Sequence, residues 1–404
     1  MEFNYPPAAD AYRKKVCAFL DQHLPAGWKG IGALNREEAA AFTDAWRETL
    51  RDNGFLAVNW PKEYGGQGLT SIEAAVISEE FARVGVPTVG PSDMFGISML
   101  GNTLLAIGTE EQKKHYLPRV LSGEDLWCQG FSEPAAGSDL GNLGCRAVLD
   151  GDEWIINGHK WFISGADRAK FAILIARTEM DVPEGSRGAN TAFIIDLPQL
   201  GWNNVREVET MHGPGGHSEI VIEDLRVHDS QILGGRGNGH RLGQYRLGPA
   251  RLAHCMRWIA QAETALDMMV DRSLKRYSHG SFLAEKQGIQ WLIADSAMEI
   301  YQCKLMILHA AFKIDRGDDF RTEVSMAKHF VANSLNRIID RAIQVHGALG
   351  YSTDTPLANM MQHARWARFA DGADEIHQMR IAENTIKAFT DHGTTRTATG
   401  DLPI

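Results

Sequence analysis

The spacing of apolar residues changes twice along the chain. Phe42, Trp46 and Leu50 recur at intervals of four residues, which is the period of a helix with one buried face. From about 126 to 233, the apolar runs are short and separated by turn residues, which predicts strands. From about 240 to 391 the helical period returns in four long segments. The pattern therefore predicts a helical region, a β region and a second helical region.

The middle region carries the signals of a compact β domain. Asp150-Gly151 and Asn157-Gly158 are both dipeptides that favour tight hairpin turns. The segment 183–190 is rich in turn formers and predicts a loop. Strands are predicted at 147–149, 154–156, 171–175, 192–195 and 219–222. Several strands at this spacing predict a β-barrel or a sandwich.

The last region predicts a four-helix bundle. One of its helices carries a continuous apolar stripe of Ala327, Phe330, Val331, Ser334, Leu335, Ile338, Ala342 and Val345. In the first region, Thr109 and Gln112 have the spacing of a capping box at a helix start. We therefore expect a helical domain at 1–125, a β domain at 126–235, a bundle at 236–391 and a tail at 392–404.

Composition narrows the class of protein. A chain of 404 residues is too long for one core, and it contains no run of eighteen apolar residues that would span a membrane. The start of the chain lacks the pattern of a signal peptide, and the five cysteines are scattered, which favours reduced thiols and a cytoplasmic location. The net charge of −10 disfavours a nucleic-acid partner.

Several common catalytic motifs are missing from the sequence. The glycine-rich run 234–239 does not have the GxGxxG spacing and is better interpreted as a hinge before the bundle. The fifteen histidines include no HExxH pair, so no metal site is expected, and His212 and His217 are interpreted as loop residues. Ser132 and Ser138 lie outside any GxSxG turn, which disfavours a hydrolase triad.

Two segments are candidates for binding a flat cofactor. The loop 130–139 combines small residues with two hydroxyls, and the segment 157–165 places the aromatic pair Trp161 and Phe162 beside Ser164. Small residues allow a ligand to approach the backbone, and hydroxyls suit a polar ring edge. From these residues alone, an ordinary β-meander with buried aromatics is the favoured interpretation.

The sequence SEPAAGSD at 132–139, the sequence INGHKWFIS at 156–164 and several distant motifs resemble the acyl-CoA dehydrogenase family of flavoenzymes. The resemblance runs from about residue 50 to about residue 390, with the motifs in the family's order. It implies an α+β fold with an N-terminal helical domain, a middle β-barrel and a C-terminal four-helix bundle. It also implies FAD as the cofactor.

The resemblance assigns cofactor contacts in two groups. Near the flavin ring it implies Phe131 and Ser132, with Phe162 stacked on the ring and Ser164 facing N5, and it places Ser138 where the family contacts the cofactor or the pantetheine arm. Trp161 is an alternative for the stacking role. Around the pyrophosphate and adenine it implies Arg276, Ser278, His279, Gln287, Gln344, Gly347 and Glu375. His279 replaces the phenylalanine that is usual in the motif RYSHG at 276–280.

The resemblance places the catalytic base at Asp371, within FADGADEIH at 369–377. Many relatives carry a glutamate there, which removes the α-proton of the acyl thioester; a branch with aspartate shares the segments GPGGH and LGPAR found here. Asp374 and Glu375 are the fallback bases, and capping of the last helix is the structural alternative for Asp371. Ser138, Arg251 and Gly372 are the implied substrate contacts.

The implied reaction is α,β-dehydrogenation of an acyl-CoA to the trans-2-enoyl-CoA, with hydride passing to flavin N5, as in the β-oxidation of fatty acids. The resemblance also implies an electron-transfer flavoprotein as acceptor and a homotetramer, or at least a dimer. The segment 93–101 is expected to line the acyl pocket, where Gly96, Ser98 and Gly101 would leave room for a branched group. A same-fold oxidase or monooxygenase, of acyl-CoA oxidase or nitroalkane oxidase type, and a catalytically silent flavoprotein are the alternatives.

Overall fold

A computed structural model of the chain describes residues 7–88, 93–180, 189–211, 213, 216–396 and 398. The chain forms two compact units, and each is built from separate stretches of sequence. The first, here called the bundle unit, contains Met1–Phe19, Thr70–Ala82 and Gly248–Ile404. The second, here called the sheet unit, contains Leu20–Leu69 and Arg83–Leu247.

Helices occupy both ends of the described chain, as the apolar periodicity predicts. They are α1 Pro7–His23, α2 Arg36–Asp52, α3 Ser71–Arg83, α4 Asn102–Ile107, α5 Glu110–Ser122, α6 Gly239–Lys275, α7 Gln287–Arg316, α8 Arg321–His346, α9 Ala348–Tyr351, α10 Leu357–Ala367 and α11 Asp374–His392. A π-helical segment, Met94–Gly101, leads into α4. The predicted capping box at the start of α5 is confirmed, since Thr109 and Gln112 each bond the other's backbone N–H.

The strands of the middle region form one mixed sheet. They are β1 Trp127–Gly130, β2 Arg146–Asp150, β3 Glu153–Ser164, β4 Phe171–Arg177, β5 Asn190–Asp196, β6 Trp202–Glu207, β7 His217–His228 and β8 Ile232–Leu233. The hydrogen-bonded order is β6-β7-β3-β2-β4-β5-β8, and β1 pairs with β4. A separate hairpin joins α6 to α7 through β9 Tyr277–Ser278 and β10 Ser281–Phe282.

One of the two predicted hairpin turns is confirmed and the other is wrong. Asp150 pairs with Glu153, so the chain turns at Gly151-Asp152 as expected. Asn157-Gly158 instead lies inside β3, at an irregularity in its pairing with β7. Gly158 is required there because a side chain would collide with Cys145, whose Sγ lies 2.5 Å from the position of an added Cβ. The glycine therefore reflects close packing between strands and not a turn.

Each unit has its own apolar core. In the sheet unit, Trp154, Ile156 and Phe193 are fully buried against the inner faces of the strands. In the bundle unit, the predicted stripe on α8 is confirmed, with Leu335 and Ile338 among its buried members. Phe330 is only partly buried at the edge of this core.

The segments between these elements are only partly described. Gly234, Gly235 and Gly237 all have positive φ before α6 begins, which suits the predicted hinge. Most of the predicted loop 183–190 and the residue His212 lie outside the described residues. None of the helices in the described ranges is both long and apolar enough to cross a membrane.

Candidate active site

Strand β3 and the loop after β1 bring the predicted flavin-ring residues of the sheet unit together. The backbone N–H of Trp161 donates to the carbonyl of Ser132 at 2.8 Å, which ties the loop to the strand. Phe162 is half exposed, has φ +59° and stacks on Trp161 with ring centroids 5.1 Å apart. Ser164 Oγ lies 2.9 Å from His217 Nδ1. An exposed aromatic face beside hydroxyl groups is a surface on which a flat ring can stack.

A buried ion pair between Lys160 and Glu133 lies beneath the surface formed by Phe162 and the loop after β1. Lys160 is fully buried and donates from Nζ to Glu133 Oε1 at 2.7 Å and to the carbonyls of Phe131 and Ile175. Glu133 also accepts from the backbone N–H groups of Gly144 and Cys145. The ammonium nitrogen of Lys160 and both carboxylate oxygens of Glu133 therefore have hydrogen-bond partners. A buried ion pair is stable only under this condition.

The remaining residues of this loop differ in exposure. The side chain of Phe131 is buried, and its carbonyl accepts the hydrogen bond from Lys160 Nζ. Ser138 is exposed. An added Cβ at Gly137 would meet nothing within 4 Å, so the loop has open space in front of it. Hydroxyls, an open backbone and an aromatic face fit the ring portion of FAD.

The predicted adenine-side residues lie on the bundle unit, at the ends of its helices. His279 and Gly280 form the two-residue turn between β9 and β10, with φ +50° and +84°. Such a turn requires two residues in the left-handed region, where histidine is better tolerated than most residues. Ser278 is partly buried. The other predicted residues of this group are exposed: Arg276, His279, Gln287, Gln344, Gly347 and Glu375.

Asp371 lies at a strained turn just before α11. Its φ is +52°, and that of Gly372 is +108°. Two cations from neighbouring helices hold this turn by its carbonyls: Arg251 Nε donates to Asp371 O at 2.8 Å, and Lys328 Nζ donates to Gly372 O at 2.6 Å. The N-terminal cap of α11 is Ala373, without a side-chain hydrogen bond. Helix capping therefore does not account for Asp371.

The Asp371 side chain has a histidine beside it. His254 Nε2 approaches Asp371 Oδ2 to 3.0 Å, although the pair lacks the alignment of a formed hydrogen bond. His254 is buried, and its ring stacks on Trp258 and meets Trp366 edge-on. On its other side, Arg257 Nη2 lies 2.6 Å from His254 Nδ1.

The surroundings of Asp371 are electropositive and poorly hydrated. Burial lowers the pKa of Lys328 to about 8, despite the opposing carboxylate of Asp374. Burial, with the charges of Arg251 and Lys328, lowers the pKa of His377 to about 3, so this imidazole is neutral at physiological pH. Burial likewise lowers the pKa of Arg251. The Asp371 carboxylate therefore lies among cationic and imidazole groups whose charged forms burial disfavours.

The two fallback bases have other surroundings. Asp374 is buried and accepts from Arg368 Nε at 2.7 Å and from Asn333 Nδ2 at 3.0 Å. Burial raises its pKa, but these hydrogen bonds outweigh burial and the net shift is downward. Glu375 is exposed in the first turn of α11. Asp374 is thus held as a structural anion, and Glu375 lacks an apolar environment.

The predicted acyl-pocket segment is only partly described, and one expectation for it is wrong. The ring of Trp60 occupies the space that a side chain at Gly101 would take, so this glycine makes room for the protein's own core and not for a ligand. Gly96 similarly lies against Val120. Asp93 is buried and receives the Arg47 guanidinium through two nitrogens. The side chain of Ser98 lies outside the described residues.

Several residues of the site could not be found by reading motifs. His254, Lys328 and His377 lie on helices where their spacing is that of core positions. Lys160 and Glu133 lie within the recognised segments but face away from the exposed surface. The one available signal was a charged residue at a helix position where the apolar stripe predicts burial, as for Lys328.

Comparison with known proteins places this fold in a family. Its parts are a helical domain, a mixed sheet with an exposed aromatic face and a helical bundle with a partly buried acid. Three family models match: acyl-CoA dehydrogenase N-terminal domain at 6–124, middle domain at 128–225 and C-terminal domain at 237–386. The chain belongs to the acyl-CoA dehydrogenase family, whose members are FAD-dependent enzymes acting on CH–CH donors.

The chain is similar to relatives that cover nearly its whole length. It is 33% identical to a 3-(aryl)acrylate reductase of Clostridium sporogenes, over 87% of this chain and 92% of the relative. It is 32% identical to the caffeyl-CoA reductase-Etf complex subunit CarC of Acetobacterium woodii, over 87% and 92%. The structure of an acyl-CoA dehydrogenase from Geobacillus kaustophilus matches with a TM-score of 0.80 and 25% identity, covering 95% of this chain and 98% of that one.

Proposed function

We propose that this protein oxidises the Cα–Cβ bond of an acyl-CoA thioester to the trans-2-enoyl-CoA, with Asp371 as the base that takes the α-proton. The observation that carries the proposal is the placement of Asp371, a partly buried carboxylate on a strained turn whose two carbonyls are held by Arg251 and Lys328. Non-glycine residues in the left-handed region persist only where surrounding contacts hold them, and they cluster at functional sites.

The residues around Asp371 suit proton abstraction. Exclusion of water from around the carboxylate favours its attack on the weakly acidic C–H of the substrate. It also keeps the carboxylate in one orientation. The cations Arg251 and Lys328 also favour the negative charge that develops on the thioester oxygen as the proton leaves. When bound, FAD supplies the two-electron oxidation of the substrate. In the sheet unit, Phe162 offers its face for stacking, and Ser132, Ser138 and Ser164 offer hydroxyls to the cofactor.

The same site can operate in the reverse direction. Both relatives described above are named as reductases, and the principle of microscopic reversibility requires that a protonated Asp371 could return a proton to Cα. Reduction of a 2-enoyl-CoA is therefore the second candidate function. The name of the CarC relative also supports our proposal that an electron-transfer flavoprotein exchanges electrons with this protein.

Anaerobic bleaching of the bound flavin tests the proposal. Purified protein is mixed with butyryl-, isobutyryl-, octanoyl- and phenylpropionyl-CoA, as wild type and as Asp371→Asn. We expect bleaching in wild type and a fall of at least about 10³-fold in its rate in the variant, with FAD retained, because the amide cannot accept the proton. Glu383→Gln, an exposed acid on α11, is the control and should behave as wild type.

Each other outcome has a defined meaning. Unchanged bleaching in Asp371→Asn would show that another group is the base. No bleaching by acyl-CoAs, but oxidation of dithionite-reduced enzyme by crotonyl- or cinnamoyl-CoA, would establish the reductase. Rapid reoxidation of the reduced flavin by oxygen would favour the oxidase alternative over a partner flavoprotein.

A further inference from the structure

We infer that His254 is a positioning residue for Asp371, holding its carboxylate through Nε2–H while Arg257 fixes the tautomer of the ring. The inference rests on the proposed function of Asp371 as the base. It goes beyond that proposal by assigning a role to two residues of α6 that lie outside the recognised motifs.

The tautomer follows from the donors and acceptors on either side of the ring. Arg257 Nη2 lies 2.6 Å from His254 Nδ1, and a guanidinium has hydrogens to donate but no lone pair to accept. Nδ1 must therefore be the acceptor, and the ring hydrogen is on Nε2. This nitrogen is the one that lies 3.0 Å from Asp371 Oδ2. A carboxylate oxygen accepts, so the chain Arg257 to His254 to Asp371 has one consistent direction.

The ring has little freedom to leave this position. His254 is 5% exposed, its centroid lies 5.4 Å from that of Trp258 in a stacked arrangement, and Trp366 meets it edge-on at 5.6 Å. Arg257 is three residues away on the same helix, the spacing at which helical side chains face each other. The contact with Asp371 is short but not aligned. Catalytic hydrogen bonds commonly tighten when the substrate binds.

The arrangement makes His254 a donor that holds Asp371, and not a second base. Nδ1 is already accepting from Arg257, so His254 cannot take up the proton that Asp371 removes without breaking that contact. Of the other charged groups in this region, Arg251 and Lys328 bind backbone carbonyls, and Asp374 binds Arg368. His254, in contrast, lies against the carboxylate itself.

The tautomer can be measured without any substrate. Protein labelled with ¹⁵N-histidine is compared with His254→Gln to assign the His254 signals. We expect a pyrrole-like signal for Nε2 and a pyridine-like signal for Nδ1, and loss of this preference in Arg257→Leu. A pyridine-like Nε2, or a doubly protonated ring at neutral pH, would overturn the inference.

The role of His254 is measured by flavin bleaching with whichever acyl-CoA or enoyl-CoA reacts with wild type. His254→Leu removes the donor, and we expect a 10- to 100-fold lower rate with FAD and acyl-CoA affinity retained, as for a misplaced catalytic group. His254→Gln places an N–H near Nε2 and should recover most of the rate. Ser273→Ala, which removes another buried hydrogen bond of α6, is the control and should leave the rate unchanged.

The combined variants separate this inference from the proposed function. In an Asp371→Asn background, His254→Leu should cause no further loss, because the carboxylate it positions is absent. If Asp371→Asn keeps full activity, the proposed base is wrong, whereas the tautomer measurement still decides the contact. If Asp371 is essential but His254→Leu reacts within twofold of wild type, or Gln is as slow as Leu, the positioning role is wrong.

Discussion

At the residue scale, the conformation of Asp371 offers a reason for aspartate at this position. A φ of +52° is unfavourable for most side chains, and aspartate and asparagine are enriched among the residues that adopt it. A residue in this region costs on the order of 1–3 kcal/mol unless other contacts hold it. The hydrogen bonds from Arg251 and Lys328 to the turn offset such a cost. An aspartate at position 371 is thus compatible with the left-handed backbone of this turn.

His377 predicts a pH dependence of stability. Its native pKa of about 3 lies below the unfolded value of 6.5, chiefly because the ring is buried. Between these two pH values the unfolded chain binds a proton at His377 and the native chain does not. Stability is therefore fully present above pH 6.5 and is lost as the pH falls towards 3. The loss should reach about 2 kcal/mol at pH 5.

The measurement is urea denaturation of wild type and His377→Gln between pH 7.5 and 4.5. The difference in unfolding free energy between the two proteins should shrink as the pH falls, because the variant lacks the titrating group. A difference that stays constant over this range would show that His377 is not held neutral in the native protein.

At the element scale, β3 combines binding and support on its two faces. Phe162 and Ser164 lie towards the exposed surface, and Lys160 points into the sheet unit, where it joins Glu133 of the loop. Regular alternation would place residues 160, 162 and 164 on one face, but the pairing of β3 with β7 is irregular between Lys160 and Ile163, and Phe162 has φ +59°. This irregularity makes the division possible. Because Trp161 N–H also binds Ser132 O, the strand helps to position both segments that are predicted to contact the flavin ring.

Removal of one partner of the buried pair should therefore affect both stability and FAD binding. Lys160→Met leaves Glu133 buried without its cation, and we expect a loss of about 3–5 kcal/mol in unfolding free energy and weaker FAD binding. Lys160→Met combined with Glu133→Gln should recover part of the stability, since the amide still accepts from Gly144 N–H or Cys145 N–H. Thermal unfolding and FAD titration measure both effects. A single variant as stable as wild type would contradict this account.

At the scale of the whole molecule, two helices of the bundle unit expose matching apolar stripes. Trp291, Met298 and Tyr301 lie on α7, and Met379, Ile386 and Phe389 lie on α11, in each case with spacings of seven and then three residues. Between about 49% and 67% of each of these side chains is exposed in the single chain. Large apolar side chains in such stripes mark association surfaces. They support the homo-oligomer, a tetramer or at least a dimer, that the family resemblance predicts.

A charge placed in the α11 stripe should weaken this association. Ile386→Lys buries an ammonium group if α11 lies in an interface, so we expect a smaller species by sedimentation velocity at micromolar concentration. Leu200→Lys, at a lone exposed leucine of the sheet unit, is the matched control and should sediment as wild type does. An unchanged distribution for Ile386→Lys would exclude this face of α11 from the interface.

The sequence by itself determined the order of the elements and the class of the protein. Apolar periodicity predicted the helices and most of the strands, and the Thr109 capping box was readable because its partners are three residues apart. Among the strands that were not predicted are Trp127–Gly130, which is short, and Trp202–Glu207, most of whose residues are exposed and polar. The roles of the individual site residues, including Asp371, remain predictions carried by resemblance and supported by geometry.

Only the tertiary structure decided which residues surround Asp371 and why position 158 must be a glycine. Arg251 is 120 positions away from Asp371 along the chain, and no local pattern records that their helices meet. His254 and Lys328 have the spacing of core residues, so their polar contacts become visible only when the facing helix and turn are in place. Gly158 had the sequence of a turn, but the nearness of Cys145, the residue just before the neighbouring strand β2, fixed its role. Local patterns determine elements because helices and strands have their own periods, whereas contacts between elements depend on the packing of the whole unit.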